Sequence, residues 1–354
     1  MSFALPKRSE ILSTLETLLI GAAGGLLFAA VHLPGGLISG AMIAVAISAI
    51  AGRPLRLPPL VAQTILVALG ISIGSMVSKE LLANVSAYPM TIALLTLATF
   101  CATFGSSIYL QRAHGWDRTS AFLAGSPGAL SQILMIAHDR NANVPAIAVV
   151  QTMRIIILAA GLPIVLALGG LSPKSAVPIA IAPAGPSALL ALTAAAIATA
   201  WLLKLVNFPA SWMFGAMLAS SVLHGTGWIE GGLPEWGRAA ALIGIGALIG
   251  TRFARISGRT ILGYLAAALG SFVVALAVSI AFVGVVILLT PVRFSDAMVA
   301  FAPGAMDAML ALALTLNIDP VFVGAHHLAR FIYVSVATPG IVQFFGRPQQ
   351  DSDD

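Results

Sequence analysis

The chain has 354 residues, 59% of them hydrophobic and only 9% charged, with a formal net charge of +5. Soluble domains carry about 25% charged residues, so a water-covered surface is excluded and the surrounding solvent is lipid. The single cysteine, Cys101, excludes a disulfide within the chain, and no stretch is polar enough to form a separate soluble module that could read DNA.

Spanning helices need about 20 apolar residues, and runs free of Asp, Glu, Lys and Arg include 17–52, 57–78, 81–111, 175–203, 205–229 and 260–292. In chain order the apolar segments lie near 12–31, 34–51, 58–78, 87–111, 119–138 and 144–170. A second set follows near 187–207, 209–226, 237–254, 261–290, 295–316 and 320–342. The start, with Lys7 and Arg8 before an apolar core, has the outline of a signal peptide. Its counterpart at 186–207 argues for a membrane helix instead.

The two sets are related. "LPGGLISGAM" (33–42) matches "FPASWMFGAM" (208–217), "GISIGS" (70–75) matches "GALIGT" (246–251), and "SPGALSQ" (126–132) matches "APGAMDA" (302–308). "QTMR" (151–154) matches "HLAR" (327–330), and the offset drifts by only one residue over the whole length. Such self-similarity marks a repeat architecture. The expected organisation is a first membrane repeat over 1–170, a Pro-rich connector over 171–186, a second repeat over 187–342 and a solvated tail over 343–354.

Positive charge chooses the topology. With six spans per half and the N-terminus inside, ten Lys and Arg lie in inner loops and six in outer ones. If the Pro-Gly-Ala segment of each half re-enters on one side, the split becomes twelve to four, and the cluster "TRFARISGR" (251–259) moves inside. The expectation is an all-α polytopic protein of two inverted repeats, each with about five spanning helices and one broken or re-entrant segment.

Pro removes a backbone donor and Gly loosens a helix. In lipid such a break survives only inside protein or beside a wet cavity. Ser126 is a good cap and Pro127 a good first residue, so a half-helix is expected from Pro127 toward His138, with its counterpart starting at Pro303. Their N-termini would favour an anion. Broken helices at matching places in two repeats point to the substrate site of a secondary transporter; a duplicated structural kink is the alternative.

Arg154 and Arg330 lie deep in apolar segments at equivalent positions. A charge there costs at least about 2.5–3.5 kcal/mol, so each should face a partner or a cavity. Gln151 and His327 precede them by three residues and share their helix faces. Two related arginines suit an anionic substrate such as a carboxylate. The expected binding set is Ser126, Pro127, Gly128, Ser131, Gln132, Gln151, Arg154, Pro303, Gly304 and Arg330. Asp307 and His327 are candidates for coupling to H+ or Na+. Asp307 pairing with Arg330 or Arg154, to close the bundle, is the structural alternative. Gly70, Gly74, Gly246 and Gly250 form small-xxx-small patterns that tight helix packing explains.

The paired "SPGA…NVPAIAVVQTMR" and "APGA…NIDPVFVGAHHLAR", with "LPGGLISGAM" and "FPASWMFGAM", resemble the AbrB-type duplicated membrane protein family of bacteria over nearly the whole chain. Members carry the labels "AbrB family transcriptional regulator" and ammonia monooxygenase. The resemblance implies a multi-pass protein of the bacterial inner membrane whose label concerns gene expression, and it supplies no catalytic residues. A metal monooxygenase needs converging ligands, whereas the six histidines are scattered over 32–327. The expected function is therefore a non-enzymatic secondary transporter of a small anionic solute by alternating access. It would need no cofactor and contact no nucleic acid, and a homodimer is a candidate assembly. A membrane-embedded sensor that affects transcription indirectly is the alternative, and a monooxygenase the third reading.

Overall fold

The computed structural model describes residues 8–33, 35–76, 88–127, 130–169, 182–208, 210–316 and 318–345. Among them the chain is all-α, with one isolated β-bridge between Pro183 and Gly232. The first half contains α1 (Arg8–Ala30), α2 (Gly36–Ile50), α3 (Pro59–Gly74), α4 (Tyr88–His114), α5 (Arg118–Gly125), α6 (Leu130–Asp139) and α7 (Val144–Leu168). The second contains α8 (Pro186–Leu205), α9 (Ser211–Gly225), α10 (Glu235–Gly250), α11 (Gly258–Leu289), α12 (Phe294–Phe301), α13 (Met306–Thr315) and α14 (Pro320–Gln343). A 3₁₀ turn, Thr251–Arg255, joins α10 to α11.

The order and lengths of the first seven helices recur in the second seven. The fifth apolar segment of each half is split in two, as the Pro-Gly motifs predict. In the second half the second piece starts later than expected, at Met306 rather than Pro303; in the first, Pro127 stands outside the helix, and residues 128 and 129, between it and Leu130, lie outside the described residues. Ser126 is extended (φ −71°, ψ 122°) and ends α5 instead of capping α6. The turns before α2 and α9 also match. His32 and Asn207 take left-handed φ of 56° and 54°, and Gly35 and Ala210 take 65° and 46°. Pro34, Pro209, Gly128, Asn317, residues 171–181 of the connector and 346–354 of the tail lie outside the described residues.

Among the described residues, seven helices are long and apolar enough to cross a membrane by length and composition, including Tyr88–His114, Gly258–Leu289 and Pro320–Gln343. The protein is a multi-pass membrane protein. α2 and α3 are shorter, with 15 and 16 residues. At 1.5 Å per residue they fall below the roughly 30 Å of a hydrocarbon core.

The chain forms two compact units, each drawn from both halves: Met1–Val85, Ala159–Arg255 and Asp307–Val321 in one, and Ser86–Leu158, Ile256–Met306 and Phe322–Asp354 in the other. Within the first unit, α1 packs on α2 and α8 on α9. The halves then exchange partners: α3 packs on α9, and α10 on α2. A β-carbon at Gly70 would collide with the Met213 carbonyl and come within 2.8 Å of Ala216. One at Gly246 would collide with the Ile38 carbonyl and come within 3.0 Å of Ala41. Small residues thus let backbones touch where lipid gives no hydrophobic drive for association. Within the second unit, α4 packs along α11 and against α5, and α11 against α12.

Candidate functional site

The site lies in the second compact unit, where α5 and α12 stop inside the protein. The last carbonyls of any helix lack intrahelical partners, and burial makes an unmet carbonyl costly. The polar stripes on α7 and α14 meet that need.

At the first break, Asp117 caps the start of α5 by accepting from the Ser120 amide at 2.8 Å. Eight residues later the helix ends. Gln151 donates from Nε2 to the carbonyls of Leu123 (2.8 Å) and Ser126 (3.1 Å). Arg154 donates from Nη1 to Gly125 (3.3 Å), and from Nη2 to Ser126 and to Gln151 Oε1, both at 3.5 Å. Nε of Arg154 is buried with no hydrogen-bond partner among the described residues. Only 6% of this arginine and 2% of Gln151 are exposed.

The second break repeats the device with other side chains. His327 donates from Nε2 to the Val299 carbonyl at 3.0 Å. Its Nδ1 is then the acceptor nitrogen, and Arg330 Nη2 approaches it at 2.5 Å. Arg330 Nη1 donates to the Ala302 carbonyl at 2.9 Å. The donor and acceptor carbonyl are 28 residues apart in His327–Val299 and Arg330–Ala302, as in Gln151–Leu123 and Arg154–Ser126. His326 points away from this stripe and bonds within the unit, to the Phe322 carbonyl and the Thr91 hydroxyl, both at 2.7 Å.

The arginines therefore sit at the C-terminal ends of α5 and α12, where the helix dipole favours a cation by about 0.3–2 kcal/mol. Neither arginine makes an ion pair among the described residues. Asp307 accepts instead from Arg252 Nη2 at 3.1 Å, within the first compact unit. The pairing expected with Arg330 or Arg154 is replaced by this half-buried pair, whose side chains are 27% and 18% exposed for Arg252 and Asp307.

Other expected site residues fall close to the first break. Gln132 donates to the Ser335 carbonyl at 3.3 Å and accepts from its hydroxyl at 2.9 Å. Ser126 Oγ lies 3.4 Å from Thr338 Oγ1. Pro127 and Pro303 are buried beside their breaks, and the Gly304 amide donates to Ala302 at 2.8 Å. Ser131 lies on α6, with its side chain outside the description, as Gly128 is altogether. A cavity of about 10 Å³ is lined by Thr99, Thr103, Ser126, Tyr333 and Thr338 among others, which is room for about one water. Arg252 as the partner of Asp307, and the hydroxyls of Thr99, Thr103, Tyr333 and Thr338, escaped the sequence reading. Thr99 and Thr103, four apart on an apolar helix, carried a signal that could have found one edge. Among the described residues, no group of three or more His, Cys, Asp or Glu side chains is placed to hold a metal ion.

The model of the family described as "Transition state regulatory protein AbrB" matches residues 37–346. The chain is 27% identical over 323 residues to "Putative regulator AbrB" of Escherichia coli (strain K12), covering 90% of this chain and 92% of that protein. It is 26% identical over 292 residues to "Uncharacterized protein YhjN" of Bacillus subtilis (strain 168), covering 77% and 75%. With the family match spanning both breaks and both arginine stripes, the chain belongs to the AbrB family.

Proposed function

We propose that the chain is a secondary transporter of a small anionic solute in the bacterial inner membrane, working by alternating access around its two helix breaks, with no chemical conversion of the solute. The observation that carries this reading is a pair of buried guanidinium groups, one per half, each at a helix break and each without a carboxylate partner among the described residues. Carbonyl dipoles offset only part of such a charge, and a mobile anion would offset the rest. Asp307, on an ion pair open enough to meet solvent, is the group we assign to coupling with H+ or Na+. His327, with both ring nitrogens engaged, acts through Arg330. The matching order of helices supports an internal duplication, and the loop charges support inverted halves.

Uptake into proteoliposomes of a panel of carboxylates, amino acids and inorganic anions, with imposed H+ or Na+ gradients, tests the reading. Gradient-driven accumulation of an anion is expected, and it should be lost in Arg154→Ala. A folded protein that moves none of the panel under either gradient would sink the proposal. Topology has its own check. Single cysteines at 140 and 319, in a Cys101→Ser background, should label from opposite sides, inside and outside respectively. Labelling from one side only would remove the inverted arrangement.

A second reading rests on the printed names of the family and of the E. coli relative, which concern regulation. In it the same buried charges bind a signal anion without net transport, and transcription is affected through a partner. Anion binding without flux would favour it.

A further inference from the structure

We propose that the two arginines have divided their labour: Arg330 is a positioning residue, and Arg154 presents its Nε–Nη2 edge to a carboxylate. The assignment deepens the anion-binding reading above and rests on it only for physiological meaning.

The two guanidinium groups are held differently. Arg330 makes bonds of 2.9 Å to Ala302 and 2.5 Å to His327. Arg154 makes none shorter than 3.3 Å, and both contacts of its Nη2 are at 3.5 Å, the outer limit of a hydrogen bond. Its Nε has no partner among the described residues although the residue is only 6% exposed. Nε–H and one Nη–H point the same way from the guanidinium plane, at the spacing of two carboxylate oxygens. Arg154 therefore holds a two-donor edge that is buried, charged and barely engaged.

The cause is the neighbour three residues earlier. Gln151 has an amide with two N–H groups. It donates to both Leu123 and Ser126, so the Ser126 carbonyl already has a donor when Arg154 reaches it. His327 has one N–H once its other nitrogen accepts from Arg330. That N–H goes to Val299, so Arg330 is the one side chain of its stripe that reaches the matching carbonyl, Ala302, beside the Gly304 amide. Gln at 151 frees the first arginine, and His at 327 ties down the second. Ser126, which Arg154 reaches through its carbonyl, also lines the small cavity, where Thr99, Thr103, Tyr333 and Thr338 stand among Phe100, Phe122, Val334 and Ile341; it has room for about one water, and Arg154 is not among the residues that line it.

The test uses the full-length protein in detergent, with sodium acetate as the probe and sodium chloride at equal ionic strength as the control. Acetate should raise the melting temperature above the chloride control in the wild type and in Arg330→Lys. It should not in Arg154→Lys, which keeps the charge but loses the fork. Gln151→His should weaken acetate binding about tenfold by letting Arg154 close on the Ser126 carbonyl. This variant also keeps the test open if Arg154→Lys fails to fold. An acetate response that survives in Arg154→Lys, or in Gln151→His at full strength, overturns the assignment. So does equal loss in both lysine variants, or a wild type that responds no more to acetate than to chloride, the result expected if water alone meets Nε. The transporter reading fails separately, by absence of flux across the whole solute panel in liposomes.

Discussion

The break after α5 and the break after α12 stop a helix at the same depth of the sequence pattern, yet they differ in how firmly they are closed. In the second, one imidazole and one guanidinium interlock and hold two carbonyls with bonds of 3.0 and 2.9 Å. In the first, an amide holds the carbonyls and the guanidinium is left loosely bound at 3.3–3.5 Å. Equivalent positions in a repeated framework are not equivalent in chemistry. The framework sets where a polar group is required, and the neighbouring side chain sets how much of that group remains for something else.

The largest effect is expected on truncating the tight arginine. Arg330→Ala removes bonds to Ala302 and His327 and should destabilise the protein by about 3 kcal/mol, whereas Arg154→Ala should cost about 1 kcal/mol. Unfolding by heat or denaturant in detergent would read both, and equal losses would erase the distinction between the breaks. A smaller effect is expected at Asp307. Asp307→Ser copies the first half, where Ser131 holds that place. The pair with Arg252 is partly exposed, so stability should fall by less than about 1 kcal/mol. If Asp307 couples a proton, the pH dependence of uptake should flatten nonetheless; an unchanged pH profile would move coupling elsewhere. The smallest change concerns the turns before α2 and α9. Ala210 adopts φ 46° where the first half has Gly35. A left-handed alanine is strained by roughly 1–2 kcal/mol, part of which a glycine returns through unfolded-chain entropy. Ala210→Gly should thus gain about 0.5 kcal/mol, seen as a slightly raised melting temperature.

Much of the architecture was legible in the sequence because its signals are local. Apolar runs gave the helices, Pro-Gly marked both splits, and three-residue spacing placed Gln151 with Arg154 and His327 with Arg330. The partners were not legible. Spacing tells which face of a helix a side chain occupies, not which segment lies opposite. The arginines could have faced the start of the helix after each break or the end of the one before, and unmet carbonyls decided for the latter. Asp307 could have met any of several cations, and it met Arg252, 55 residues away in sequence, in a cluster whose charge had spoken only of topology. The exchange of partners between α2, α3, α9 and α10 was equally hidden, since glycines spaced four apart announce a close neighbour without naming it.

That exchange bears on how the chain is made. Segments enter the bilayer in order, N-terminal first, so α3 arrives with the bare backbone at Gly70 and Gly74 well before Met213–Ser220 has been synthesised to cover it. α2 likewise waits for Gly246 and Gly250. The first half on its own has no way to finish its own packing, and biogenesis must shelter it until the second half is threaded. A ribosome stalled before residue 210 would leave in the membrane an inserted but unassembled intermediate, a substrate for membrane quality control rather than a smaller working protein.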